Sequence, residues 1–397
     1  MIRHFGMDGT VPLKGVRILD LSRLLSGNIM THTLADLGAD VIKVEPPEGD
    51  ALRDWKVKGI PVQWKVYGRN KRSIALDLKS ASDQEILRKL IVGADMLVEN
   101  FRPGVLDHLG FSSEVMRAIN AKLVVIRISG WGQDGPYRHK PGFGTLVEAF
   151  SGFASKNGFP DGPPVLPNLG LADAVAGLYA AMSAMVALRE VEVNGGAGQD
   201  VDISLLDPIF SILGADQAVY RVGGVIPTRT GNRSGTAAPR NIYPTRDGKQ
   251  LALAASMQTV VERLFKAIGR PELIEDERFA TNDARLANNE ALDEIIGAYI
   301  KDRTLDEVLT FFDAAGVTAG PVHDAASIME DAHVRERGVI IEVEDADLGS
   351  LPMHGVVPRF SRTPGALQRP APKLDEHRDE ILKELAEHFA DPSVLDP

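Results

Sequence analysis

The apolar positions along this chain change period in a regular way. Val16–Leu21 ("VRILDL") is a short apolar run, as a strand buried on both faces requires. A polar, glycine-containing turn follows in "SRLLSGN" (22–28). "IMTHTLADLGA" (29–39) then reads as a helix and "DVIKVEP" (40–46) as a second strand. This β-α-β opening predicts a parallel sheet. "RSIALDL" (72–78) is a further strand. "SDQEILRKLIVGA" (82–94) places acids early and bases late, as the helix dipole favours. "DMLVENF" (95–101) and "LVVIRISGW" (123–131) continue the alternation. The pattern predicts an α/β fold whose large domain is a doubly wound parallel sheet.

From Ala174 to Leu188 the chain carries no charge, and Asp173 stands directly before that run. The run is shorter than the ~20 residues a membrane span needs. It is expected to be a buried core helix in which Gly177 permits close backbone approach. "GGAGQDVDISLLDPIFSIL" (195–213) then reads as turn, strand and helix. Beyond Val225 the texture changes. A long polar loop, "PTRTGNRSGTAAPRN" (227–241), leads into a hairpin with Asp247-Gly248 at its turn, and charged helices follow. Residues 225–330 are therefore expected to form a smaller α+β domain. "RGVIIEVEDADLGSLPMHG" (337–355) predicts an antiparallel pair, and "PKLDEHRDEILKELAEHF" (372–389) an amphipathic helix.

Composition narrows the function classes. The chain has 397 residues, 44% of them hydrophobic, and a formal net charge of −11. No Lys/Arg-rich block is present, so no nucleic-acid partner is expected. An anionic small ligand needs only a local basic pocket. There is no cysteine, which removes disulfides, thiolate metal sites and a Cys nucleophile. That usage and the lack of an apolar leader in "MIRHFGMDGT" make a cytoplasmic location, away from membranes, the expectation. "SRLLSGN" lacks G-x-G-x-x-G, and no P-loop or G-x-S-x-G elbow occurs, so no NAD is expected. The nine histidines form no H-E-x-x-H, and no metal is expected.

Two kinds of candidate chemistry remain. Asp173 reads either as an N-cap or as a carboxylate held ionised by a helix N-terminus and able to act as base or nucleophile. Cations also concentrate near turns: Arg69, Lys71, Arg72 and Lys79; Arg102, beside Asn100; and Arg138, His139 and Lys140. Taken singly, each group reads as solvated surface. Placed after strands of one parallel sheet, they would meet at its carboxyl edge, where a ligand with several phosphates would bind.

The segments "GVRILDLSRLLSG", "LGADVIKVEPPEGD", "NKRSIALDLK", "VENFRPGVLDHLGF", "SGWGQDGPYRHKPGF", "LADAVAGLYAAMSAMVAL", "GQDVDISLLD" and "AGPVHDAASIMEDAHVRERG" together resemble the class III coenzyme A-transferases. Formyl-CoA transferase and carnitine CoA-transferase belong to that group, and alpha-methylacyl-CoA racemase shares the fold. The resemblance covers almost the whole chain. It implies an interlocked-ring homodimer, with residues 1–224 as a Rossmann-like CoA-binding large domain. Residues 225–330 would be the small domain and residues 331–397 a segment returning to the large one. It implies acyl-CoA and small carboxylic acids as substrates, with coenzyme A carried as thioester. It places the family's catalytic aspartate on Asp173, which would form first an anhydride and then an aspartyl-CoA thioester.

The CoA contacts carry over to Leu25, Ser26, Leu76, Asp77, Leu78, Lys79, Asn100, Phe101, Arg102 and Lys140. His108 stands where many members have a phosphate-binding Arg, and Pro46 replaces a second one. Phosphate binding then falls to Arg102 and Lys140, with Arg69, Lys71 or Arg72 in support. Only Gly231 and Gly235 remain of a glycine run that formyl-transferring members carry, which argues against formate–oxalate exchange. Arg233 and Arg240 are the expected readers of a substrate carboxylate. The alternatives are a 2-methylacyl-CoA racemase, whose G-H-D base is here Gly142-Phe143-Gly144, and a non-catalytic CoA-binding protein.

Overall fold

The computed structural model describes residues 2–6 and 10–390. Six strands form one parallel sheet: β1 (Arg17–Asp20), β2 (Asp40–Glu45), β3 (Lys71–Ala75), β4 (Met96–Glu99), β5 (Val124–Ser129) and β6 (Asp200–Ser204). Their spatial order is β3-β2-β1-β4-β5-β6. Alternate side chains serve opposite faces. Ile18, Val41, Met96, Val98, Val124 and Ile126 pack with helices α1 (Ser26–Asp36) and α4 (Leu171–Asn194). Leu19, Ile42, Val44, Leu97 and Val125 pack with α2 (Ala81–Val92) and the tail helix α5 (Arg378–Ala390). Helices on both faces explain why these strands read as apolar runs rather than as alternating ones. The short helix α3 (Gly144–Phe150) was not foreseen from sequence.

Helix α4 has 24 residues and ends on Gly195, whose φ of 69° suits a glycine cap. It is therefore longer than the uncharged run suggested. By length and composition it could cross a membrane, a test that core helices also pass. One of its faces, Ala172, Ala176, Ala180, Ala184 and Ala187, is buried. Gly177 fulfils its expected role: a Cβ there would lie 2.6 Å from the Ser26 carbonyl oxygen on α1. The opposite face, with Leu178, Met182, Val186 and Val193, is exposed in the single chain.

The chain divides into two units. The first comprises the residues up to Phe153, Leu166–Ala215 and those from Arg335 onward; the second is Ala154–Val165 with Asp216–Val334. The first unit also contains the expected antiparallel pair, Ile340–Asp345 with Gly349–His354, joined by a parallel strand at Ile2–Arg3. The second unit is built on the expected hairpin, Arg240–Pro244 with Gln250–Ala254, extended by Ala319–Pro321. Helices Gln258–Ala267, Asn289–Ile300 and Leu305–Ala314 cover it around Tyr243, Leu253, Phe265, Ile296 and Phe312. Its limits differ from residues 225–330. It begins at Asp216, ends at Val334 and takes in Ala154–Val165. That early segment is held by the Gly231 amide donating to the Gly158 carbonyl at 2.9 Å and by a Lys156–Asp216 ion pair at 2.6 Å.

Candidate active site

The carboxyl ends of β1, β2, β3 and β4 open into a cavity of about 550 Å³. Leu76, Asp77, Leu78, Lys79 and Phe101, named above as CoA contacts by resemblance, line it. Pro46, which stands where the family has a phosphate-binding Arg, lines it too, as do Arg23, Pro47 and Glu48, which were not assigned from sequence. Its cations are Arg23 and Lys79, and the Arg23 guanidinium lies 5.6 Å from the centre of the Phe101 ring. Asn100 is not in the wall. Its side-chain amide instead bonds both backbone groups of Arg23, at 2.8 and 2.7 Å, and fixes that residue over the cavity. Arg102 and His108 are exposed on the following turn and outside the lining. Lys140 is exposed as well, with its ammonium 3.5 Å from the centre of the Tyr137 ring.

Three expected phosphate contacts are corrected. Arg69, Lys71 and Arg72 are buried and paired, not free for a ligand. Arg69 makes a bidentate pair with Asp36, Arg72 is held by Asp40, Glu380 and Glu384, and Lys71 reaches Asp20 at 3.1 Å. The Lys71 ammonium also donates to Asn28 Oδ1 at 2.8 Å. Burial, countered by Asp20, brings Lys71 down to about 8.

This buried network shapes the loop between β1 and α1. Lys43 pairs with Asp20 and Asp50 and donates to the Ser22 carbonyl. Asp50 accepts from the Leu24 amide at 3.0 Å and from Asn28 Nδ2 at 2.7 Å. Leu24 sits at φ 60°, a left-handed conformation that these bonds stabilise. Arg23 of this loop lines the cavity, and its last residue, Leu25, reaches the residue before α4. There Leu25 packs so closely on Gly170 that a Cβ would lie 2.7 Å from its Cδ1. Leu25 thus links the cavity's Arg23 to the start of α4.

Asp173 occupies the third position of α4, and its side chain is not the cap. The acceptor at this helix start is Glu148, which projects from α3 and takes the Ala172 amide on Oε1 at 3.0 Å. Burial first, and then the charge of Glu148, push the Asp173 carboxyl up to about 6, against a backbone hydrogen bond that favours its ionised form. Gly144 makes room for the carboxylate, since a Cβ there would lie 2.5 Å from Asp173 Oδ2. The result is a half-buried, ionisable carboxylate that has no cationic partner among the described residues, as suits a nucleophile. Glu148 was missed from sequence. Its only signal was a lone acid in the otherwise uncharged stretch "GTLVEAFSGF".

The expected carboxylate readers lie in the second unit. Arg233 is committed to Asp293 at 2.7 Å and Glu290 at 3.5 Å, so it is not a vacant anion receptor. Arg240 lines a separate cavity of about 490 Å³ with Asn232, Asn241 and Thr318. Gly235 is exposed, with nothing within 4 Å of an added Cβ, so no close approach requires a glycine there.

A parallel sheet with a cavity at its carboxyl edge and a carboxylate at a neighbouring helix start is the arrangement of an α/β protein that binds a ligand at its sheet edge, and similarity to known proteins gives its class. The model of CoA-transferase family III matches residues 13–378. The chain belongs to that family and is an enzyme with class III CoA-transferase activity, rather than a non-catalytic binding protein. It uses CoA thioesters and carboxylates as substrates. Among its relatives, the succinyl-CoA–D-citramalate CoA-transferase of Chloroflexus aurantiacus is 42% identical over 378 residues, 94% of each chain. The succinate–glutarate CoA-transferase of Agrobacterium fabrum is 35% identical over 384 residues, 94% of this chain and 96% of its own. A crystal structure of a CaiB/BaiF family protein from Brucella suis, 34% identical, superposes with a TM-score of 0.84 over 95% of this chain and 100% of that one.

Proposed function

We propose that this enzyme moves coenzyme A from succinyl-CoA to a second small dicarboxylic acid, with Asp173 as the covalent nucleophile. The observation that carries the reading is the Asp173 carboxylate, which is half-buried, has no cationic partner among the described residues and is joined to the cavity by the Arg23–Ser26 loop. Asp173 attacks the thioester carbonyl, and the C–S bond breaks to give an acyl–aspartyl anhydride and CoA thiolate. The thiolate attacks the Asp173 acyl carbon and expels the donor acid, leaving an aspartyl-CoA thioester. The acceptor carboxylate then runs the two steps in reverse and frees Asp173. No water or proton is consumed; the anhydride is the high-energy intermediate, and the net exchange of one thioester for another is close to thermoneutral.

The choice of succinyl-CoA and a dicarboxylate rests on relatives named for succinyl-CoA or succinate paired with citramalate, malate or glutarate. A second copy of the chain completes the enzyme in this reading. The exposed apolar face of α4 supports that assembly. The test of the reaction is a panel of mono- and dicarboxylic acids assayed with succinyl-CoA and with acetyl-CoA. Transfer from succinyl-CoA to dicarboxylates is expected. Turnover confined to acetyl-CoA and monocarboxylates would overturn the substrate assignment.

A further inference from the structure

Glu148 has no part in the reaction as written, yet it is a carboxylate 2% exposed on a helix that contributes nothing else ionisable to the site. Its environment accounts for one oxygen. Oε1 accepts the amide of Ala172, one of the N–H groups at the start of α4 that have no acceptor within the helix. Among the described residues it is also the only charged side chain that acts on Asp173. Residues 144 and 148 lie on one face of α3, one turn apart. The same face therefore supplies both the room for Asp173 at Gly144 and the acceptor at Glu148.

We propose that Glu148 is the positioning residue of the nucleophile: it fixes the first turn of α4 through the Ala172 amide and sets a negative charge against Asp173. This rests on Asp173 being the nucleophile. A glutamine would hold the amide equally well, because its carbonyl oxygen accepts the same bond. The charge is what distinguishes glutamate, and it has a chemical use. A carboxylate beside a second negative group is more basic, and a more basic oxyanion is the stronger nucleophile toward a thioester. The usual cost of a like charge is a carboxyl that stays protonated. Here the raised value of about 6 still leaves Asp173 mostly ionised at neutral pH. Burial contributes to the same shift, so removing the charge should remove only part of it.

The experiment uses Glu148→Gln and Glu148→Ala in the full chain, with kcat/KM for succinyl-CoA followed from pH 4.5 to 8.5. The acid limb of kcat/KM reports the free enzyme, and hence Asp173 before substrate binds. Glu148→Gln should keep its melting temperature and move that limb to lower pH by roughly one unit. Glu148→Ala, which loses the acceptor as well, should lose about a hundredfold in kcat from a misplaced nucleophile. An acid limb in Glu148→Gln that coincides with wild type overturns the role of the charge. Unchanged kcat in Glu148→Ala overturns the role of the acceptor. Borohydride reduction of the aspartyl thioester in wild-type enzyme, read as homoserine at position 173, tests the nucleophile separately. If homoserine appears and the limb stays fixed, only the Glu148 proposal fails.

Discussion

At the scale of single residues the site depends on what is missing as much as on what is present. Gly144 leaves the volume that Asp173 Oδ2 occupies, so Gly144→Ala should push the carboxylate aside. A loss of about a hundredfold in kcat/KM, with the melting temperature within a few degrees of wild type, is expected. Full activity in that variant would show that the carboxylate has room elsewhere. Asp173→Asn keeps the shape of the side chain and removes its nucleophilicity, so turnover should fall by more than about 10⁴-fold while CoA binding persists. Activity retained over a long assay, with mass spectrometry excluding deamidation, would displace Asp173 from its role. Burial pushes this carboxyl up to about 6, and as the proposed nucleophile it must be ionised to attack. Rates should therefore decline about tenfold per pH unit below that value and be flat above it.

At the scale of elements, the loop that carries Leu25 to Asp173 is set by charges inside the sheet. Lys71 is fully buried between Asp20 and Asn28. Replacing it with methionine leaves Asp20 with a single cation, and urea denaturation should record a loss of about 3–5 kcal/mol. A loss below about 1 kcal/mol would mean that the network does not hold the loop. Asp20 is depressed well below the usual carboxylate range by Lys43 and Lys71, despite its burial. Its contribution to stability is thus complete above about pH 4 and is lost only as the pH falls through the depressed value. The strands of this sheet were legible because burial on both faces leaves a plain apolar run. The charges among them were not. Lysine and arginine near a turn ordinarily face water, and the partner that buries Lys71 lies 51 positions away. Glu148 was hidden for the same reason, since the amide it caps is 24 positions further on. Asp173 and the Leu76–Lys79 wall were singled out through family resemblance, because a helix start and a strand end are local features that the surrounding motif fixes.

At the scale of the molecule, α4 exposes Leu178, Met182 and Val186 along one side, and a second chain is the proposed cover. We expect a dimer of two 42.9 kDa chains that stays assembled on dilution to nanomolar concentration. If the two chains are interlocked, mixing tagged and untagged protein should give no hybrids without denaturant. Hybrids within minutes would leave an ordinary two-fold interface. The order of the chain also matters for how the protein is made. Strand β3 lies at one edge of the sheet, and Arg72 within it pairs with Glu380 and Glu384, 308 and 312 residues later. At the pace of translation that separation is on the order of 15 to 60 s. Throughout that interval the whole second unit emerges and can close, since its last residue is Val334. The sheet that was synthesised first waits with one face open for the helix synthesised last. The nascent chain is therefore most in need of a chaperone while it is nearly complete, and a ribosome that stalls just before residue 378 would hold a finished small unit on an unfinished large one.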